Sequence, residues 1–313
     1  MQSQNSCLTQ CKQPAILFSP ARLEDKEWVD RILRLEDAPS ADFCFTNILI
    51  WDDRFRQQVA ALGDRLAFRL MSDGIPFYAF PVGQGDLTPV IEALVQDAAA
   101  YGVPLEIRAI LEKHRMELEA AFPGRFDFSL APDSFDYVYE IEKLATLAGK
   151  KLHAKRNHIN RFIENNPVWS FEPITVRTLP ACALMSCEWS HQHQNQASFY
   201  NEIDALRKTF DNFEALGLEG GLLRLENRVI AFTIGEQLNS DTYIVHFEKA
   251  FSDIQGAYPL INREFARHIQ ETHPHIRYIN REEDMGIESL QKAKKSYYPD
   301  LMMEKYTAVW RDQ

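Results

Sequence analysis

The sequence predicts an α/β (α+β) chain built as two tandem copies of one unit, each a mixed, mostly antiparallel sheet flanked by helices. Three observations predict it. Short runs rich in Val, Ile, Phe and Tyr alternate with segments whose apolar residues recur at helical spacing. One order of elements is passed through twice without visible sequence repetition: helix, three strands, helix, strand, helix, strand. The chain has 313 residues, 45% hydrophobic and 25% charged, which is enough for two cores of ordinary globular composition.

Residues 1–14 read as a polar tail. The first copy is expected over 15–135 and the second over 136–313. A helix over 25–35 puts Trp28, Ile32 and Leu35 on one face. The block FCFTNILIW (43–51) is too apolar to stand in water. Strands follow over 57–62, 66–71 and 77–82, cut by Gly63-Asp64 and Asp73-Gly74. Next come a helix (87–101), a strand (105–109), a helix (112–122) and a strand (125–130). The second pass runs strand (137–141), helix (149–165), strand (170–174) and a helical region (180–216). It goes on with strands over 221–225, 229–236 and 241–247, a helix (256–270), a strand (276–280), a helix (286–298) and a last strand (303–310).

The formal charge of −11 argues against broad nucleic-acid binding, so any polyanion needs a local basic patch. No apolar run approaches the ~20 residues of a membrane span. The first residues lack the apolar core of a secretion signal, and a cytoplasmic location is the expectation. The five cysteines (Cys7, Cys11, Cys44, Cys182, Cys187) include no CxxC pair, which disfavours a disulfide framework or a zinc site. His191 and His193 lack a clear third ligand nearby. No metal site is expected.

The chemistry is expected in the second half, in YIVHFEKAFSDIQGAYPLINREFARHI (243–269). A strand ends in His246, Glu248 and Lys249, a loop follows, and a helix opens near Gly256. Tyr258, Ile261, Phe265 and Ile269 form its buried stripe, and Pro259 suits its first turn. Free N–H groups at that helix start, beside Gln255 and Gly256, make an anion site next to acid/base groups. A plain polar connection in solvent is the alternative. The corresponding VGQGDLTPVI of the first half has no ionisable cluster before it and reads as scaffold.

GKKLHAKRNHINRF (149–162) contains no acid. On a helix Leu152, Ile159 and Ile163 face inward. Lys150, Lys151, Lys155, His158 and Arg161 fill the opposite arc, Arg156 borders the stripe, and His153 belongs to the same basic run. This is a surface suited to phosphates, or a solvated face that happens to be basic. In YINREEDMGIESLQKAKKSYYPD, Ile287, Leu290, Lys294 and Tyr297 share a face, so Lys294 sits among inward-facing apolar residues and needs a partner. Glu283, Asp284 or a ligand phosphate would serve. Asn280, Arg281, Glu283 and Asp284 leave a strand end, where ligands of α/β sheets commonly bind.

The repeated order of elements is that of the GNAT acyltransferase fold, in which donor and acceptor meet where two strands splay apart. The three blocks GKKLHAKRNHINRF, VHFEKAFSDIQGAYPLINREFA and INREEDMGIESLQKAKKSYYP resemble the C-terminal domain family of phosphatidylglycerol lysyltransferases, which is similar to Fem-type aminoacyltransferases. The resemblance spans the chain from about residue 20. It implies two tandem GNAT-like domains and transfer of an acyl or aminoacyl group to an amine or hydroxyl. The donor it implies is aminoacyl-tRNA, whose acceptor stem would be the partner. Acyl-coenzyme A is the alternative donor, and a ligand sensor for a phosphorylated small molecule a third reading. Two departures stand out. The multi-span membrane region of the lipid enzymes is not in this chain, and the loop Ser252–Ala257 has one glycine directly after Gln255, unlike the usual pyrophosphate cradle. In this scheme Glu248 or His246 takes the acceptor's proton, and Tyr297 or Tyr298 protonates the leaving group. Lys294, Asn262 and the basic helix would hold donor or acceptor.

Overall fold

The computed structural model describes residues 16–192 and 199–311. Among these, the strands form two seven-stranded mixed sheets. The first takes β1 (Ser19–Pro20), β2 (Gln58–Leu62), β3 (Arg65–Ser72), β4 (Ile75–Gly83), β5 (Glu106–Ile110) and β6 (Phe126–Leu130). The second takes β7 (Asp136–Glu140), β8 (Trp169–Pro173), β9 (Glu219–Leu225), β10 (Arg228–Gln237), β11 (Thr242–Ala250), β12 (Tyr278–Asn280) and β13 (Leu301–Met303). The last strand, β14 (Tyr306–Trp310), returns to the first sheet.

The spatial orders are β1-β2-β3-β4-β5-β14-β6 and β8-β9-β10-β11-β12-β7-β13. Taken as two runs of seven strands in chain order, β1–β7 and β8–β14, they are the same sheet laid side by side, with the sixth place filled each time by the last strand of the other run. With the halves divided after β7, at Glu140, each half lends its final strand to its neighbour. The expected single strand over 303–310 is two strands in two sheets, and the second copy does not keep its own end. The crossing points are bolted together: Lys305 Nζ lies 2.8 Å from Asp136 Oδ1 and 2.5 Å from Asp42 Oδ2, with Lys305 and Asp136 wholly buried. An ammonium in that setting requires such partners.

Central strands are apolar on both faces, as covered strands must be: β4, β10 and β11 are buried along most of their length. The β3–β4 hairpin turns on Asp73 (φ 50°) and Gly74 (φ 82°), the pair of positive φ angles that a tight two-residue turn requires. Helices α1 (Lys26–Glu36), α4 (Thr88–Ala100) and α5 (Glu112–Ala121) lie near their expected bounds. The block at 43–51 forms α2 (Phe45–Ile50), with Phe45, Ile48 and Ile50 buried, followed by the short α3 (Asp52–Phe55). The long helix expected over 149–165 is shorter: α6 (Ile141–Thr146) precedes it, and α7 begins only at His153 (His153–Asn165). The region 180–216 resolves into α8 (Leu179–Gln192), α9 (Phe199–Asp211) and α10 (Phe213–Leu216). His193, Cys7 and Cys11, and the tail 1–14, lie outside the described residues.

Two further helices complete the second half, α11 (Ala257–Thr272) and α12 (Glu288–Lys295). One feature of the second sheet positions everything below. The parallel pair β11 and β12 is joined only through Thr242–Ile244, after which β11 runs on to Ala250 while β12 ends at Asn280. The edge of β11 beyond Ile244 faces a gap.

Candidate active site at the splayed strands

Two adjoining hollows, of about 410 and 460 Å³, open onto this gap. Glu248, Lys249, Arg281 and Lys294 line both. The first half supplies Trp51 and Arg54 to both; Trp51 stacks obliquely against Phe247, with ring centroids 6.3 Å apart. Glu202 of α9 closes another side.

Glu248 is on the strand, since β11 extends six residues past its last pairing with β12. Its Oε1 accepts from Arg281 Nη2 at 2.9 Å and its Oε2 from Asn262 Nδ2 at 2.9 Å. Both carboxylate oxygens are thus engaged, and Glu248, with Asn262, anchors the strand edge to Arg281. The Arg281 guanidinium lies over Tyr297 at 4.9 Å, and its Nη1 has no hydrogen-bond partner among the described residues. Lys155 covers the Tyr297 ring at 4.1 Å, so this tyrosine lies within reach of two cations. Burial pushes the Tyr297 hydroxyl up, keeping it protonated. Burial and Arg281 pull Lys155 down.

Lys294 faces inward as its spacing predicts and is 7% exposed. Its partners are neither of the expected carboxylates. Nζ donates to the backbone carbonyls of Glu282 (3.1 Å) and Glu283, so the lysine fastens the turn that carries Arg281. Burial brings its pKa down to about 8. Lys249 donates to Glu202 Oε1 at 2.5 Å and lies 3.9 Å over the Trp189 ring. Glu283 lines the smaller hollow, and burial pushes its carboxyl up to about 7.

Other expected site residues serve the fold. His246 lines the first hollow but is held on both sides: Nδ1 is 2.9 Å from Glu282 Oε1 and Nε2 3.1 Å from Glu236 Oε1. Burial opposes its charge, yet hydrogen bonds to Cys44, Glu236 and Glu282 hold the imidazole well above the usual histidine value. Tyr298 is 42% exposed beside Lys151 and lines neither hollow, whereas Tyr297 lines the second. Asn280 bonds to Pro39 O and Asp136, and Asp284 accepts from Tyr137 and Gly286 N. Both are buried cross-links.

The anion site expected at Gln255 and Gly256 is covered by α7. Gln255 Nε2 meets His158 Nδ1 at 3.0 Å, and a Cβ on Gly256 (φ 95°) would come within 2.5 Å of the His158 carbonyl. The glycine is there for helix packing. Lys150 and Lys151 sit in the exposed turn before α7, His153 pairs with Asn157, and Arg156 caps the carbonyls of Leu147 and Gly149. Of the basic run only Lys155 lines the hollows. Sequence reasoning missed Trp51, Arg54 and Glu202. The first two lie in and beside a block that read only as buried, and Glu202 in a helical region without a distinguishing pattern.

Relatives bear on this geometry. A conserved protein of unknown function from Bacteroides thetaiotaomicron is 39% identical, covering 95% of this chain and 100% of its own, with a TM-score of 0.88. L-PGS of Bacillus licheniformis shares the fold at 15% identity, covering 94% of this chain and 93% of its own, with a TM-score of 0.64. An uncharacterized protein of Mycoplasmoides gallisepticum is 24% identical over 187 residues, 58% of this chain. That match spans 59% of the curated relative's length. No helix among the described residues is long and apolar enough to cross a membrane. Residues 34–309 match the family described as phosphatidylglycerol lysyltransferase, C-terminal, and the chain, with its two tandem GNAT-like units, belongs to that family.

Proposed function

We propose that this protein transfers an activated aminoacyl group, carried on tRNA, to an amine or hydroxyl acceptor bound in the paired hollows. Family membership supports acyl or aminoacyl transfer in general. The observation that carries the finer reading is the gathering of Lys155, Lys249, Arg281 and Lys294 around one gap in a chain of net charge −11. Local positive charge in an acidic protein selects a phosphorylated donor without binding polyanions broadly.

In this scheme the acceptor attacks the ester carbonyl. Backbone N–H groups on the unpaired edge of β11 beyond Ile244 hold the oxyanion. Glu283 takes the acceptor's proton, its raised pKa suiting it to that role at neutral pH. As the C–O bond of the ester breaks, Tyr297 gives its proton to the leaving ribose oxygen. Arg281, held by Glu248, supplies positive charge beside it.

The test is transfer from a panel of radiolabelled aminoacyl-tRNAs to small amines and hydroxyl compounds, with binding measured against salt. Binding to charged tRNA that falls steeply with salt, together with turnover, supports the proposal. Calorimetric binding of acetyl-coenzyme A with turnover on that donor would transfer the role to the thioester. Tight small-molecule binding without turnover on either donor would make the protein a sensor.

A further inference from the structure

At the seam of the two halves three unlike donor atoms converge. Cys44 Sγ, one residue before α2, is 3.1 Å from Glu236 Oε1 and 4.0 Å from His246 Nε2. That nitrogen is 3.1 Å from the same carboxylate oxygen. Cys44 belongs to the first half, Glu236 to β10 and His246 to β11. A tetrahedral ion with bonds of about 2.0 Å to nitrogen and oxygen and about 2.3 Å to sulfur would set such donors roughly 3.3–3.6 Å apart. The observed spacings bracket that range.

The surroundings are those of a ligand set. The second ring nitrogen of His246 is 2.9 Å from Glu282 Oε1, and Asn47 Nδ2 holds the same oxygen at 3.0 Å. A carboxylate behind an imidazole in this way fixes which nitrogen is free to bind a metal. Cys44 and His246 are buried, and on the adjoining helix the buried Asn47 Oδ1 has no hydrogen-bond partner among the described residues. A shared proton accounts for the contacts of His246 with its two carboxylates. The Cys44 thiol, brought from the other half of the chain, donates to the same Glu236 oxygen, so an ion here would take the place of both protons.

We propose that Cys44, Glu236 and His246 bind one divalent transition ion of the zinc class, which clamps the first half onto β10 and β11. Sulfur, nitrogen and oxygen together favour such an ion over magnesium or calcium. The ion would replace the thiol proton of Cys44 and the proton shared by His246 and Glu236, with water in the remaining position. This inference is independent of the transfer reaction.

The experiment uses the full chain, stripped with a chelator and titrated with Zn²⁺ against a chromophoric competitor, then with Co²⁺ as a spectroscopic probe. The expected result is one equivalent bound and a near-ultraviolet thiolate-to-cobalt band. Glu282→Gln should weaken binding about 10–100-fold, and Cys44→Ser should abolish the band. If Cys44→Ser does not fold, peptide mapping of alkylated wild-type protein replaces it: Zn²⁺ should protect Cys44. Failure of folded wild-type protein to bind one equivalent, binding and spectrum that survive Cys44→Ser, or a Cys44 alkylated equally with and without Zn²⁺ would each overturn the proposal.

Discussion

Arg281 Nη2 donates to Glu248 Oε1 across 2.9 Å, joining the residue that follows β12 to the unpaired edge of β11. The bridge spans the splay itself. It sets how far the two strands part and where the guanidinium stands over Tyr297.

Glu248→Gln should therefore act through Arg281. The pair is 12% and 9% exposed, and removing one member of a buried pair typically costs about 3–5 kcal/mol. Chemical denaturation of the single and double variants with Arg281→Met would give the coupling. A coupling below ~1 kcal/mol would show that the bridge is incidental.

Glu283→Gln should lower turnover about 10²–10⁴-fold, the usual contribution of a general base. A base works deprotonated, so wild-type rate should rise with pH through about 7, and the variant should lose that rise. The native state also holds this proton more tightly than the unfolded chain. Between 4.5 and about 7 the carboxyl therefore subtracts stability as pH rises, and the variant should lack that slope. An unchanged pH–rate profile would remove Glu283 from the chemistry.

Lys294→Met tests the buried amine. With its folded pKa near 8 against an ordinary 10.5, the unfolded chain binds the proton more tightly. Stability should rise between those pH values, by on the order of 3 kcal/mol at most. Denaturation midpoints from pH 7 to 11 should show that rise in wild-type protein and not in the variant.

Gly256→Ala should destabilise by about 1–3 kcal/mol, because the new Cβ meets the His158 carbonyl and the backbone stands at φ 95°. Donor binding, measured below the melting temperature, should be unaffected. Lost binding in a fully stable variant would return this loop to the phosphate site.

Much of the fold was legible because strand and helix periodicity are local properties. The helix over 112–122 and the hairpin at Asp73-Gly74 needed no distant partner to define them. The identity of α2 did need one: FCFTNILIW is apolar on every side and gives no period to separate helix from strand. The destination of β14 was equally hidden, since a strand reads the same whichever sheet accepts it. At the site, Lys294 was legible from its helical face, but its carbonyl partners were not. Nor was the engagement of Glu248, whose partner lies 33 residues on. Cys44 and His246 meet from positions 202 apart, a distance at which sequence spacing carries no information.

The traded strands, locked by Lys305 against Asp136, bear on how such a chain could change over time. Cutting the gene between its halves would give two fragments, each missing an inner strand and carrying a stray one. The halves can drift in sequence until no likeness is visible, but they cannot be shuffled or inherited apart.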